Sequence, residues 1–274
     1  MAVENASVQI HSTAVVDPKA ELAAGVVVGP GAVIGPLVVV GLNTWIGPHV
    51  VLDGRLTLGR DNKVFPGACL GLEPQDLKYR GADTEVVIGD GNTLRECVTI
   101  NRATEEGEQT RLGDGNLLMA YCHLGHNCVL GNNIVMSNAI QGAGHVFIED
   151  RAVVGGCLGI HQFVHIGRQA MVGGMTRVDR DVPPFCMVED HPGRVRGLNR
   201  VGRPRSGMAS NREGRELKQL QEIWTLLYRS DRVIAEGLRE ARTQPLLPAS
   251  EHLCSFLEAS IGPGRRGPMP ALAR

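Results

Sequence analysis

From Ile10 to Val178 nearly every sixth residue is a bulky aliphatic, a rhythm that few folds can accommodate. Of the 29 positions in this register, 25 are Ile, Val, Leu or Met; the exceptions are Asp76, Ala82, Glu106 and Gly142. A period of six fits neither the 3.6 of an amphipathic helix nor the 2 of a half-buried strand. It is the repeat of a parallel β-helix, in which each hexad supplies a short strand and a corner. Three hexads close one triangular coil, so residues 18 apart become vertical neighbours at a β-sheet spacing of roughly 4.8 Å. The aliphatic side chains then fill a narrow prism. Composition agrees, because the 274 residues include 35 glycines for corners but only ten aromatic residues.

The rhythm is interrupted over EPQDLKYRGADTE (73–85) and RATEEGEQT (102–110), which predicts two loops thrown out from the prism. Insertions in solenoids gather on the binding face. Asp181-Val182-Pro183-Pro184 marks the exit, because consecutive prolines neither extend a ladder nor enter a helix interior. Residues 1–190 are therefore expected to form an all-β parallel β-helix, and 191–274 a small helical domain. Ser210 is placed to cap a helix carrying Leu217, Leu220, Ile223, Trp224, Leu227 and Tyr228 on one face. A second helix follows Ser230 with Val233, Ile234 and Leu238, and a third covers about 251–260. The closing GPGRRGPMPALAR reads as a disordered tail.

No basic segment followed by an apolar run opens the chain, and no stretch reaches the roughly 20 apolar residues of a membrane span. A cytoplasmic protein without stable membrane insertion is expected. Net charge is −1 and no nucleic-acid partner is expected, although residues 191–274 carry 15 basic and 8 acidic residues. That balance suits an acidic protein or a phosphorylated ligand as well as it suits solvated helix faces. Seven cysteines without framework spacing read as reduced thiols.

CHLGHNC (122–128) invites a metal-clamp reading, with two histidines three apart and each flanked by a cysteine. The six-residue register argues against it. Leu124 points into the prism, which sets His123 and Cys122 around a corner from one another. Counting by 18, Leu124, Gly142 and Ile160 share a column. His126, His145 and His161 therefore cluster on one edge of successive coils, with His123 just before the corner. Three of the chain's nine histidines on one edge make a candidate site. Imidazole, with an ordinary pKa of about 6.5, suits proton transfer at cell pH.

Five segments carry a resemblance: EPQDLKYRGADTEVVIGDGNTLRECVTINRAT, GNLLMAYCHLGHNCVLG, AGHVFIEDRAVVGG, GIHQFVHIGRQAMVGG and DVPPF. They resemble bacterial UDP-N-acetylglucosamine O-acyltransferases over nearly the whole chain, less closely after Arg196. The resemblance implies a left-handed, three-sided prism and a homotrimer with active sites between neighbouring prisms. It implies transfer of an (R)-3-hydroxyacyl group from acyl carrier protein to the 3-hydroxyl of UDP-GlcNAc, the first step of lipid A synthesis, with no cofactor or metal.

By the same resemblance His126 is the general base, and Asn127 stands where many relatives have an orienting Asp. The Gly144 N–H is the oxyanion donor. His123, His145, His161 and Gln162 surround sugar and phosphates, and Asp76 and Lys78 hold the acceptor sugar and incoming acyl chain. Asn199 and Arg205 match a nucleotide-binding segment. Gly174, Met175 and His191 match an acyl-chain ruler. Three alternatives stay open: an amide-forming relative acting on a 3-amino UDP-sugar, a zinc-histidine prism of the carbonic anhydrase type, and a non-catalytic scaffold for acyl carrier protein.

Overall fold

The computed structural model describes residues 7–199 and 211–272. The hexads wind into a left-handed parallel β-helix whose three faces are sheets of 11, 8 and 8 strands. Along the first face Ile10 stacks on Val28, Ile46, Val64, Leu94, Leu118, Met136, Val154 and Val172. As far as Val172, coils are 18 residues long except where the loops enter, at Val64 to Leu94 and Leu94 to Leu118. Those coils take 30 and 24 residues, so the insertions add twelve and six. Both additions are multiples of six, which is why the rhythm resumes in phase. Asp76, Ala82 and Glu106 therefore lie in loops. Gly142 keeps its place in the ladder, between Leu124 and Ile160.

Each hexad has two inward positions, not one. Two residues before the counted aliphatic, Val26, Ala32, Val50, Ala68, Val98, Cys122, Cys128 and Ala152 are also fully buried. This corrects the expected geometry of CHLGHNC. Cys122 and Leu124 both point into the prism and His123 points out between them, as the two-residue alternation of a strand requires. Burying an aliphatic side chain contributes about 1.5–3 kcal/mol, and this stack of short strands needs nearly every one. Corners turn through a left-handed residue three past the counted aliphatic, commonly not glycine: Asn43, His49, Tyr121, Asn127, Ala139, His145 and Phe163 all have φ between 56 and 65°.

The prism does not end at the prolines. Val182 bridges Ile166, and Cys186–Glu189 pairs in parallel with Met171–Val172, so Pro183-Pro184 lie within a last, shortened coil. Arg194–Leu198 then turns back antiparallel on that strand. Residue 190 thus falls inside a closing hairpin. Among the described residues three helices follow, α1 (Asn211–Tyr228), α2 (Ile234–Ala241) and α3 (Pro248–Ser260). Leu220, Ile223, Trp224, Leu227, Tyr228 and Leu238 are buried as expected, while Val233, before α2, is exposed. The expected cap Ser210 lies outside the described residues.

The tail is not disordered over its described length. Pro268 bridges Asp181, Ala271 bridges Val195, and Met269 is completely buried. Asp181 anchors it, accepting from Ser260 Oγ at 2.6 Å and from Arg265 Nη2 at 2.6 Å. No helix among the described residues is long and apolar enough to cross a membrane.

Candidate active site

Both loops and the histidines occupy the corner after the second face, where successive coils align their residues. Two past the counted position come His126, Gly144 and Gln162; three past it come Asn127, His145 and Phe163. A Cβ on Gly144 would lie 2.3 Å from Cε1 and Nε2 of His126, so only glycine leaves that ring its place. The His145 ring meets His126 edge-on at 5.1 Å and stacks on Phe163 at 4.6 Å. A groove of about 280 Å³ is lined by Gln75, Asn101, His123, His126, Gln141, Gly144 and Gln162.

His126 is buried. Its Nδ1 lies 2.9 Å from Asn127 Oδ1, and its Nε2 lies 3.7 Å from Asp76 Oδ2, too far for a direct hydrogen bond. An amide oxygen only accepts, so in the neutral ring Nδ1 carries the proton and Nε2 keeps its lone pair. Asn127 Nδ2 in turn donates to Glu108 Oε2 at 2.6 Å. His123 Nδ1 bonds Thr99 Oγ1 at 2.7 Å, and burial pushes its pKa down. Burial, then the neighbouring His126 charge, lowers His145 as well. Both rings are thereby biased towards neutrality. Cys122 and Cys128 are pushed up by burial, Cys128 to about 12, which leaves them as unreactive core thiols. The Gly144 N–H has no acceptor among the described residues.

Seven expected site residues meet at this corner: Asp76, His123, His126, Asn127, Gly144, His145 and Gln162. Lys78 is exposed beside them; its backbone N–H donates to Asp76 and its charge reaches His145. His161 stands on the same edge but turns to the tail, with Nδ1 3.0 Å from Gln162 O and Nε2 3.1 Å from Arg266 Nη2. A second cavity of about 500 Å³ opens there between residues 161–164 and 263–266.

Asn199 is not in the groove, since its amide donates to Gln169 O. Gly174 stacks over Gly156, Met175 is 75% exposed, and His191 lies exposed in the closing hairpin; none lines the groove of its own chain. Arg205 lies outside the described residues. Sequence reasoning missed Gln75, Gln141, Glu108 and Arg266. Asn101 is buried at the groove with an Oδ1 that has no hydrogen-bond partner.

The zinc-prism alternative needs three imidazole nitrogens converging at about 2.0–2.1 Å from one ion. These rings do not converge. His126 Nδ1 is held by Asn127, and both nitrogens of His161 are engaged, one of them by a guanidinium.

A prism of hexads with an oriented imidazole in a corner groove defines an acyltransferase of the hexapeptide-repeat class. Comparison with known proteins narrows the class. The family profile "Udp N-acetylglucosamine O-acyltransferase; Domain 2" matches residues 181–269. The acyl-[acyl-carrier-protein]–UDP-N-acetylglucosamine O-acyltransferase of Synechocystis is 52% identical over 221 residues, 80% of this chain and 79% of its own. The protein of the same name from Helicobacter pylori is 44% identical over 257 residues, 93% of either chain. Among solved structures, LpxA from Acinetobacter baumannii matches with a TM-score of 0.88 at 35% identity, covering 95% of this chain and 99% of that one. UDP-N-acetylglucosamine acyltransferase from Francisella novicida gives 0.87 at 34% identity, with 96% and 94% covered. The chain belongs to the acyl-[acyl-carrier-protein]–UDP-N-acetylglucosamine O-acyltransferase family.

Proposed function

We propose that this chain transfers an (R)-3-hydroxyacyl group from acyl carrier protein to the 3-hydroxyl of UDP-GlcNAc, the first step of lipid A synthesis. The observation that carries the reading is the orientation of His126: Nδ1 is fixed by Asn127 and Nε2 is left as an acceptor beside the groove. The sugar hydroxyl gives its proton to Nε2 as its oxygen attacks the thioester carbon. The Gly144 N–H receives the oxyanion. Collapse of the tetrahedral species breaks the carbon–sulfur bond, and the proton on His126 passes to the departing thiolate. No acyl-enzyme forms, consistent with the inward cysteines. Asp76, 3.7 Å from Nε2, and the Oδ1 of Asn101 are placed to hold the acceptor sugar.

The protein works in the cytoplasm as a homotrimer, with Asn199, Arg205 and the ruler Gly174, Met175 and His191 serving a cleft between chains. The position of Asn199, Gly174, Met175 and His191 away from the groove of their own chain supports that arrangement. The test is incubation with a panel of 3-hydroxyacyl carrier proteins and UDP-GlcNAc, followed by product mass. One added hydroxyacyl group, released by mild alkali, is expected. An alkali-stable product, or none with any donor, overturns the reading.

A further inference from the structure

Asn127 is the weak point of an otherwise conventional base, because an amide supplies no net charge. We propose that Glu108, from the second loop, is a positioning residue for His126 and acts through Asn127. The inference rests on His126 being the base.

An asparagine amide beside a histidine has two orientations, and only one of them makes a base. With its NH₂ towards Nδ1, the ring would carry its proton on Nε2 and have nothing to accept with. A carboxylate only accepts, so Glu108 Oε2, 2.6 Å from Nδ2, holds the NH₂ on its own side and turns the amide oxygen to His126. The Thr104 N–H, 3.2 Å from the same Oδ1, is a second donor that only an oxygen satisfies. Thr110 Oγ1 accepts the Asn127 N–H at 2.9 Å. Glu108 and Thr104 belong to the second loop and Thr110 to the strand that leaves it, so this one segment sets the tautomer of His126 through Asn127.

Charge follows the same path. When His126 takes the sugar's proton, positive charge forms one amide away from the Glu108 carboxylate, whose field also reaches His145. Asp76 and Lys78 face the same pair of rings from the first loop. Replacing Asn127 by Asp would put two carboxylates where a 2.6 Å hydrogen bond now stands.

The test is a mutant cycle read by kcat, KM and the pH profile. Glu108→Gln should lower kcat roughly tenfold, as loss of an outer orienting partner does, with KM unchanged and the acid limb moved to lower pH. Asn127→Ala should cost more, and Asn127→Ala/Glu108→Gln no more than Asn127→Ala alone. Asn127→Asp/Glu108→Gln should outpace Asn127→Asp. Wild-type kcat and pH profile in Glu108→Gln, or losses that multiply in the double variant, overturn the proposal. The ¹⁵N shifts of His126 give a readout independent of turnover. A proton on Nδ1, lost in part in Glu108→Ala, is expected; a proton on Nε2 in the unmodified protein overturns the proposal even if acyl transfer is observed.

Discussion

At Gly144 the chemistry depends on an atom that is not there. Its missing Cβ gives the His126 ring its place, and its N–H is unclaimed among the described residues. Gly144→Ala should therefore displace the base without disturbing the prism. The expected outcome is a fall in kcat of about 10²-fold, the scale of an ångström-sized misplacement, with a melting curve close to that of the unmodified chain. This residue was legible before any coordinates, as were His126, His145 and Asp76. Counting from Leu124 and Gly142 placed His126 and His145 on one edge, and resemblance alone pointed to Gly144 and Asp76. Glu108, Gln75 and Arg266 were not legible, because a loop or tail has no register along which to count. His161 was placed correctly on its edge, yet its ring faces the tail, a contact between segments 105 residues apart.

At the scale of the element, the sequence shows half of the hexad clearly. Within the ladder the counted position takes bulky aliphatics at every step but Gly142, so it stands out; the second inward position also accepts Ala, Thr, Cys and Asn, and its pattern dissolves into the background. There Asn62, Asn92 and Asn116 form a buried ladder. Asn92 donates to Asn62 Oδ1 through N at 2.8 Å and Nδ2 at 3.0 Å, Asn116 repeats this on Asn92, and Ile134 N–H ends the series on Asn116 Oδ1. Docking of α3 uses a polar contact of the same kind. Glu149 of the prism accepts from His165 at 2.8 Å and from His252 of α3 at 2.6 Å, while Phe256 of α3 packs on His165. Burial alone would raise this carboxyl, but the two histidine hydrogen bonds and their charges bring it down to about 2 from an ordinary 4.5. A depressed carboxylate contributes its stability in full above pH 4.5 and loses it as pH falls towards 2. Urea unfolding should find Glu149→Gln less stable by on the order of 3 kcal/mol at pH 6, and the gap should narrow steadily below pH 4.5.

The whole molecule is held in phase by arithmetic. Insertions of twelve and six residues leave every later side chain facing the same way, and both emerge at the corner that carries the site. Removing Gly81 from the first loop should change stability by less than about 1 kcal/mol, whereas removing Ala139 from a corner should cost more than about 4 kcal/mol, because a one-residue slip turns inward side chains outward. Denaturant midpoints at fixed protein concentration decide this. The prism was legible because its period is redundant over 29 positions. The returning tail was not, because Gly, Pro and Arg have no periodicity, and its order depends on one buried methionine and the distant carboxylate of Asp181. The expected exit at the prolines came a few residues early, inside the last coil, for a related reason, since Pro183 and Pro184 occupy a stretch that needs no ladder N–H. Everything converges on one ring. The most direct measurement is kcat of His126→Ala for acyl transfer from 3-hydroxyacyl carrier protein to UDP-GlcNAc, with folding checked by circular dichroism. A fall of about 10²–10⁴-fold in a folded protein is the predicted result; undiminished transfer would contradict the account.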